Sequence, residues 1–131
     1  NLQQKGFLIS NIIESIKNNS SIVITNKNNK RDYLLIEDFI NVILKMIDFN
    51  SKFEIFNIGS GECYSFEKII KIFEKKSGKK IKRENKVSEK NNISQIKANI
   101  SKISKKTGWY PKYNFEEGVE KILLKEGLLA K

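Results

Sequence analysis

Arg31 and Asp32 stand together in the stretch NKNNKRDYLLIED (26–38), between a polar run of Asn and Lys and an apolar segment. Of the 25 basic residues, only Arg31 and Arg83 are arginine. A guanidinium is a planar fork of donors that suits bidentate binding of a carboxylate or a phosphate, which the point charge of lysine cannot imitate. Position 31 therefore reads either as an anion-binding residue or as the partner of a nearby carboxylate. Two other patterns could carry chemistry. NIGSGE (57–62) is a glycine turn of the kind that lets backbone approach a phosphate. It lacks the third glycine of a dinucleotide fingerprint and the Gly-Lys-Ser/Thr of a phosphate loop, so it reads as a strand-to-helix turn. Tyr64 and Lys68 have Tyr-x-x-x-Lys spacing, but at the start of a surface helix, where the spacing reads as coincidence.

Several chemistries are closed by composition. The chain has no His, which removes the commonest general base and zinc ligand, and triads built on His with it. A single cysteine, Cys63, excludes an internal disulfide and suits a reducing, cytoplasmic compartment. The carboxylates fall in helix starts and on solvated faces, so no general acid–base pair stands out. With no His and one Cys, we expect no metal ligand in this chain. No apolar run approaches the ~18 residues of a membrane span.

These residues sit in 131 that are 39% hydrophobic, enough for one domain with a core. The net charge of +10 invites a nucleic-acid reading. Against it, acidic residues are interspersed with the lysines, arginine is scarce, and the skew toward Lys, Asn and Ile runs through the whole chain. A stand-alone basic module that binds nucleic acid or another protein is the alternative function.

The elements that must position Arg31 follow from periodicity. Leu8, Ile9, Ile12, Ile13 and Ile16 have helical spacing over 6–19, and SIVIT (21–25) reads as a strand followed by a loop at 26–30. Ile36, Phe39, Ile40, Ile43, Leu44 and Ile47 mark a second helix, with Glu37 and Asp38 at the positive end of its dipole. KFEIFNIGSGE (52–62) alternates and predicts a buried strand ending in a glycine turn. Ser65 caps a third helix that stops at Gly78, and KIKRE (80–84) predicts a short strand. Residues 85–95 read as a loop, and Asn99 as the cap of a helix over 100–107 that stops at Gly108. WYPKYNF is a turn anchored by a buried Trp109, and Asn114 with Glu117 forms a capping box for the last helix. Alternating helices and strands without an internal repeat predict an α/β fold.

In this order the segments resemble the C-terminal part of the NAD-dependent nucleotide-sugar epimerase/dehydratase family, the extended short-chain dehydrogenase/reductases. KRDYLLIEDFINVILKMI is similar to the family's Arg-Asp-aromatic motif and acidic helix start. FEIFNIGSGECYSFEKIIKIFEKKSGKKI resembles its Asn-Ile-Gly-Ser-Gly strand and helix. ANISKISKKTGWYPKYNFEEGVEKIL is similar to its Asp-Ile-Ser-Lys, Gly-Trp-x-Pro and Leu-Glu-Glu-Gly ending, with Asn99 in place of the Asp. The resemblance implies a small mixed substrate-binding domain over 1–131, cut from a longer enzyme and lacking the Rossmann half. It implies that Arg31 contacts the diphosphate of a nucleotide-diphosphate sugar and that Phe7, Leu8 and Ile24 help enclose the nucleotide. Lys90 stands where the family places its second phosphate contact, in Glu89–Asn92. The NAD(P) site and the catalytic Tyr-x-x-x-Lys pair are implied to lie in the missing N-terminal half, so this chain binds no cofactor and catalyses nothing alone. A homodimer is the assembly the resemblance suggests for the full enzyme. KNNKRDYLLIED resembles most the branch that works on CDP-linked deoxysugars.

Overall fold

The computed structural model describes residues 7–24, 29–50, 53–86 and 94–130. Helix α1 (Leu8–Asn18) leads into strand β1 (Ile22–Ile24), and β2 (Lys30–Arg31) precedes α2 (Ile36–Ile47). Strand β3 (Tyr64–Ser65) runs directly into α3 (Phe66–Ser77), followed by β4 (Arg83–Asn85) and β5 (Gln95–Ile96). Helices α4 (Ser101–Thr107) and α5 (Phe115–Lys125) close the chain. The fold is mixed α/β, as its alternating pattern predicts.

Local chemistry accounts for most of the boundaries. Ser65 Oγ accepts the Lys68 amide at 3.3 Å, satisfying one orphan donor of α3, and Gly78 ends that helix at φ +67°. Asn114 Oδ1 accepts the Glu117 amide at 3.0 Å while Glu117 Oε2 accepts the Asn114 amide at 2.8 Å, the reciprocal box expected for α5. Asn99 Oδ1 accepts the Ser101 amide at 3.0 Å at the entry to α4.

The strands form two small sheets. β1 pairs in parallel with β4, Ile22 opposite Arg83. β2 lies between antiparallel β3 and parallel β5, so Arg31 faces Tyr64 on one side and Ile96 on the other. A larger core joins α1, β1, α3 and α5 through Ile12, Ile69, Ile70, Phe73, Val119 and Leu123. Phe73 is fully buried, and its truncation to Ala should cost about 3–5 kcal/mol. A smaller cluster under α2 joins Val42, Ile103 and Trp109, the buried aromatic expected at that turn.

Three expectations are corrected. Residues 53–58 belong to neither sheet, and they do not form a buried strand: Phe53 is 81% exposed and Ile55 69%. Alternation alone cannot supply a ladder, and among the described residues no strand lies alongside. The strand expected at 80–84 runs over Arg83–Asn85, where β1 offers a partner. Lys30, expected in the loop 26–30, and Gln95, expected in the loop 85–95, are strand residues paired with each other. Of those loops, residues 26–28 and 87–93 lie outside the described residues, as does residue 25 of the strand expected over 21–25.

Candidate functional site

The site is organised by Asp32, which follows β2. Ser60 donates both its amide (2.7 Å) and its hydroxyl (2.6 Å) to Asp32 Oδ1. The amides of Gly61 (3.0 Å) and Ala98 (3.1 Å) donate to Oδ2. Each carboxylate oxygen thus takes two donors, and hydrogen bonds to a charged acceptor are the stronger kind. This single side chain fastens the glycine turn and the approach to α4 onto the central strand. The turn packs too tightly for a side chain at position 59: a Cβ there would lie 2.4 Å from Ala98 Cβ and 2.9 Å from Asp32 Oδ2. The glycine is required by this approach, and the amides that could have cradled a phosphate are spent on Asp32. NIGSGE is therefore a structural turn.

Arg31, one residue earlier, is fixed in β2 but keeps a partly exposed guanidinium. Its Nη1 donates to the Lys30 carbonyl at 2.8 Å, and among the described residues no carboxylate pairs with it. Arg83 behaves in the opposite way, with Nη1 on Glu67 at 2.8 Å and Nη2 on Glu74 at 2.7 Å. One arginine is committed to structure, and the other has donors left for an anion. Sequence reasoning allowed Arg31 either role; the described carboxylates do not take it.

A ring cluster backs this strand. Tyr64 stacks on Phe115 at 4.6 Å between centroids, and Tyr33 meets the same ring at 5.6 Å. Burial, and donation of its hydroxyl to Glu62, push the Tyr64 phenol up to about 12. Lys68 Nζ lies over the Tyr64 ring, 4.8 Å from its centroid, in a cation–π contact and not beside the hydroxyl. A phenol held protonated in this way is the reverse of an activated base, so the Tyr64/Lys68 spacing carries no catalysis.

The other expected contact residues are dispersed. Phe7 is 55% exposed ahead of α1, Leu8 is half-buried against the large core, and Ile24 is buried in it at the end of β1. Lys90 lies outside the described residues. An open, mostly apolar cleft of about 640 Å³ between α1, the start of α2 and α5 is lined by Ile9, Tyr33, Ile36, Phe39, Tyr113 and Phe115, among others, and Arg31 is not among its lining residues. Among the described residues no cluster of three or more His, Cys, Asp or Glu side chains could hold a metal ion, and no helix is long and apolar enough to cross a membrane.

A second carboxylate escaped sequence reasoning. Asp38, assigned above to the helix dipole, is buried, and its two oxygens accept the amides of Lys112 (2.9 Å) and Tyr113 (3.1 Å). It ties the Trp109 turn to α2. Only the pairing of an acidic helix start with a turn far along the chain could have signalled this, and spacing alone does not.

A family profile described as GDP-mannose 4,6 dehydratase matches residues 2–122. The chain is 29% identical over 122 residues to CDP-abequose synthase of Salmonella muenchen, covering 90% of this chain and 41% of that protein. It is 30% identical over 94 residues to dTDP-4-dehydro-6-deoxyglucose reductase of Escherichia coli, covering 72% of this chain and 30% of that protein. Among solved structures, UDP-glucuronic acid 4-epimerase from Bacillus cereus, in complex with UDP-glucuronic acid and NAD, superposes with a TM-score of 0.81 at 26% identity. That superposition covers 90% of this chain and 38% of the epimerase chain. The chain thus spans well under half the length of these relatives.

Proposed function

Because the chain belongs to the GDP-mannose 4,6 dehydratase family, we propose that residues 1–131 are the C-terminal substrate-binding domain of a longer enzyme. That enzyme is an NAD-dependent epimerase, dehydratase or reductase of nucleotide-diphosphate sugars. The observation that carries this reading is the contrast at β2: Asp32 saturated by four donors, Arg31 beside it partly exposed and paired with no described carboxylate. A diphosphate presents paired oxygens onto which the guanidinium can fork.

In this reading Arg31 holds the diphosphate, exposed Phe7 and half-buried Leu8 supply apolar surface near the start of α1, and Lys90 adds a second charge. Ile24, buried beneath, serves as part of the wall. Grip on the nucleotide, remote from the reacting carbon, keeps the sugar in a productive position. The described residues do not fit a dinucleotide, since the amides of the glycine turn go to Asp32, so we assign NAD to the remainder of the enzyme and route no step through it here. Assembly as a homodimer and a cytoplasmic location belong to the same proposal.

The test is calorimetric titration of the complete polypeptide with UDP-, CDP-, dTDP- and GDP-sugars at low and high salt. Saturable binding of one of them, little changed by salt, is expected. Failure to bind any of them, together with tight binding of DNA or RNA that weakens steeply with salt, would overturn the reading in favour of a basic nucleic-acid module.

A further inference from the structure

Helix α3 turns its two carboxylates one way and its exposed lysines another. Glu67 and Glu74 both meet Arg83 of β4, at 2.8 and 2.7 Å, and the other oxygen of Glu74 accepts the Ile81 amide at 2.9 Å. The exposed side carries Lys71 and Lys75, one turn apart, and the chain past the stop at Gly78 adds Lys79 and Lys80. With Glu74 and Gly78, these four lysines line a shallow groove of about 280 Å³. Lys71 stands 4.0 Å from Glu67 Oε1, an oxygen that Arg83 already holds. Lys79 Nζ reaches the Ile16 carbonyl at 3.5 Å, and among the described residues no carboxylate pairs with Lys75, Lys79 or Lys80.

Elsewhere lysines do meet acids: Lys17 meets Glu126, Lys121 meets Glu37, and Lys102 and Lys106 share Glu54. Cations in the last turn of a helix complement its dipole, which accounts for Lys75 and Lys76, and Lys76 is also paired with Glu120. Lys71, a turn earlier, and Lys79 and Lys80, past the stop, fall outside that account. The one carboxylate in the groove has both oxygens engaged, so the four ammonium groups share a concave surface without an acid to answer them. A cleft lined by one sign of charge focuses its field on a counter-ion. The lining has neither an aromatic ring nor a guanidinium, so it offers no stacking platform and no bidentate fork. Its volume is at the small end of ligand sites, with room for a few linked phosphates. The matching occupant is compact and multiply negative.

We propose that this groove is a second anion site, in which Lys71, Lys75, Lys79 and Lys80 hold a compact anion of the polyphosphate class. It lies apart from Arg31. Tyr64, the cross-strand partner of Arg31, stands just before α3, and the groove is at the far end of that helix, about 18 Å away at ~1.5 Å per residue. The site does not depend on the nucleotide-sugar reading.

Calorimetric titration of the complete polypeptide with inorganic tripolyphosphate, at about 0.15 M ionic strength, tests it. Saturable binding is expected, with sulfate at the same ionic strength binding at least about tenfold more weakly. Lys75→Gln and Lys80→Gln should each weaken tripolyphosphate binding roughly fivefold. Both side chains are exposed, so unfolding in urea should stay as in the parent. Lys105→Gln removes an exposed lysine of α4 and should leave the binding as it was. Equal loss in Lys105→Gln would reduce the effect to bulk charge and overturn the proposal. Binding that survives both groove variants and is lost in Arg31→Lys would place the anion at β2 instead, and would overturn it too. So would the lack of saturable binding, with adsorption to phosphatidylglycerol vesicles or duplex DNA in its place, because the lysines would then form an extended charged face and not a site.

Discussion

Asp32 and Ala98, 66 positions apart, are joined by a 3.1 Å hydrogen bond from the Ala98 amide to the carboxylate. The same carboxylate holds Ser60 and Gly61, so the start of the motif RDYLLIED, the turn NIGSGE and the segment before α4 share one fastening. Arg31 is positioned by this fastening without being consumed in it. The acidic half of the Arg-Asp pair is structural, and the basic half meets no carboxylate among the described residues.

Replacing Arg31 with Lys keeps the charge and loses the fork. In the complete enzyme, nucleotide-sugar binding should weaken by about 1–3 kcal/mol, the scale of a charged hydrogen bond. Titration calorimetry reads this directly. Arg83→Lys is the control: it should lower stability through Glu67 and Glu74 and leave affinity unchanged. Unchanged affinity in Arg31→Lys would remove the phosphate role.

Asp32→Asn exchanges one of two acceptor oxygens for a donor. Whichever way the amide is turned, its nitrogen faces donors that formerly bonded to a carboxylate. We expect a loss of about 2–4 kcal/mol in urea unfolding, from weakened bonds and unsatisfied amides together. A loss below half a kcal/mol would show that the turn holds without Asp32.

Gly59→Ala places a methyl group against Ala98 Cβ and Asp32 Oδ2. Overpacking of this kind costs about 1–3 kcal/mol. Ala98→Gly removes one of the two obstacles, so the double variant should recover part of the loss. A double-mutant cycle of unfolding free energies checks it, and additivity would contradict the contact.

Tyr64 should titrate well above an ordinary phenol. Its phenol is raised from the ordinary 10.0 to about 12, by burial first and by Glu62 second. A raised value means that the folded state holds the proton more tightly than the unfolded chain. The resulting stability is complete below pH 10 and is lost as pH rises through about 12. Ultraviolet titration should show a step near pH 12 that Tyr64→Phe deletes and Glu62→Gln moves down; a Tyr64 that titrates near 10 would refute the environment described.

What the sequence determined by itself is everything that acts within one or two helical turns. The helix spacing of α1, α2, α3 and α5, the Ser65 cap, the Asn114–Glu117 box and the stops at Gly78 and Gly108 all depend on neighbours three or four residues away, and they stand where periodicity and capping chemistry put them. Arg31 stood out in the sequence too, because a rare guanidinium in a lysine-rich chain is a local oddity.

Tertiary structure decided the rest. Segment 53–58 has the alternation of a strand but no strand beside it among the described residues, and a strand is a property of two segments. The stripe on α2 was read correctly as helical, yet periodicity cannot say which side is buried: Val42, off the stripe, is buried, and the stripe itself is exposed. Asp32 and Asp38 look like ordinary acidic residues before a helix and in its first turn. Their donors come from 28 to 75 residues away, at Ser60, Gly61, Ala98, Lys112 and Tyr113. A carboxylate advertises its charge in the sequence; which amides will satisfy it is settled only when the chain brings them within 3 Å or so.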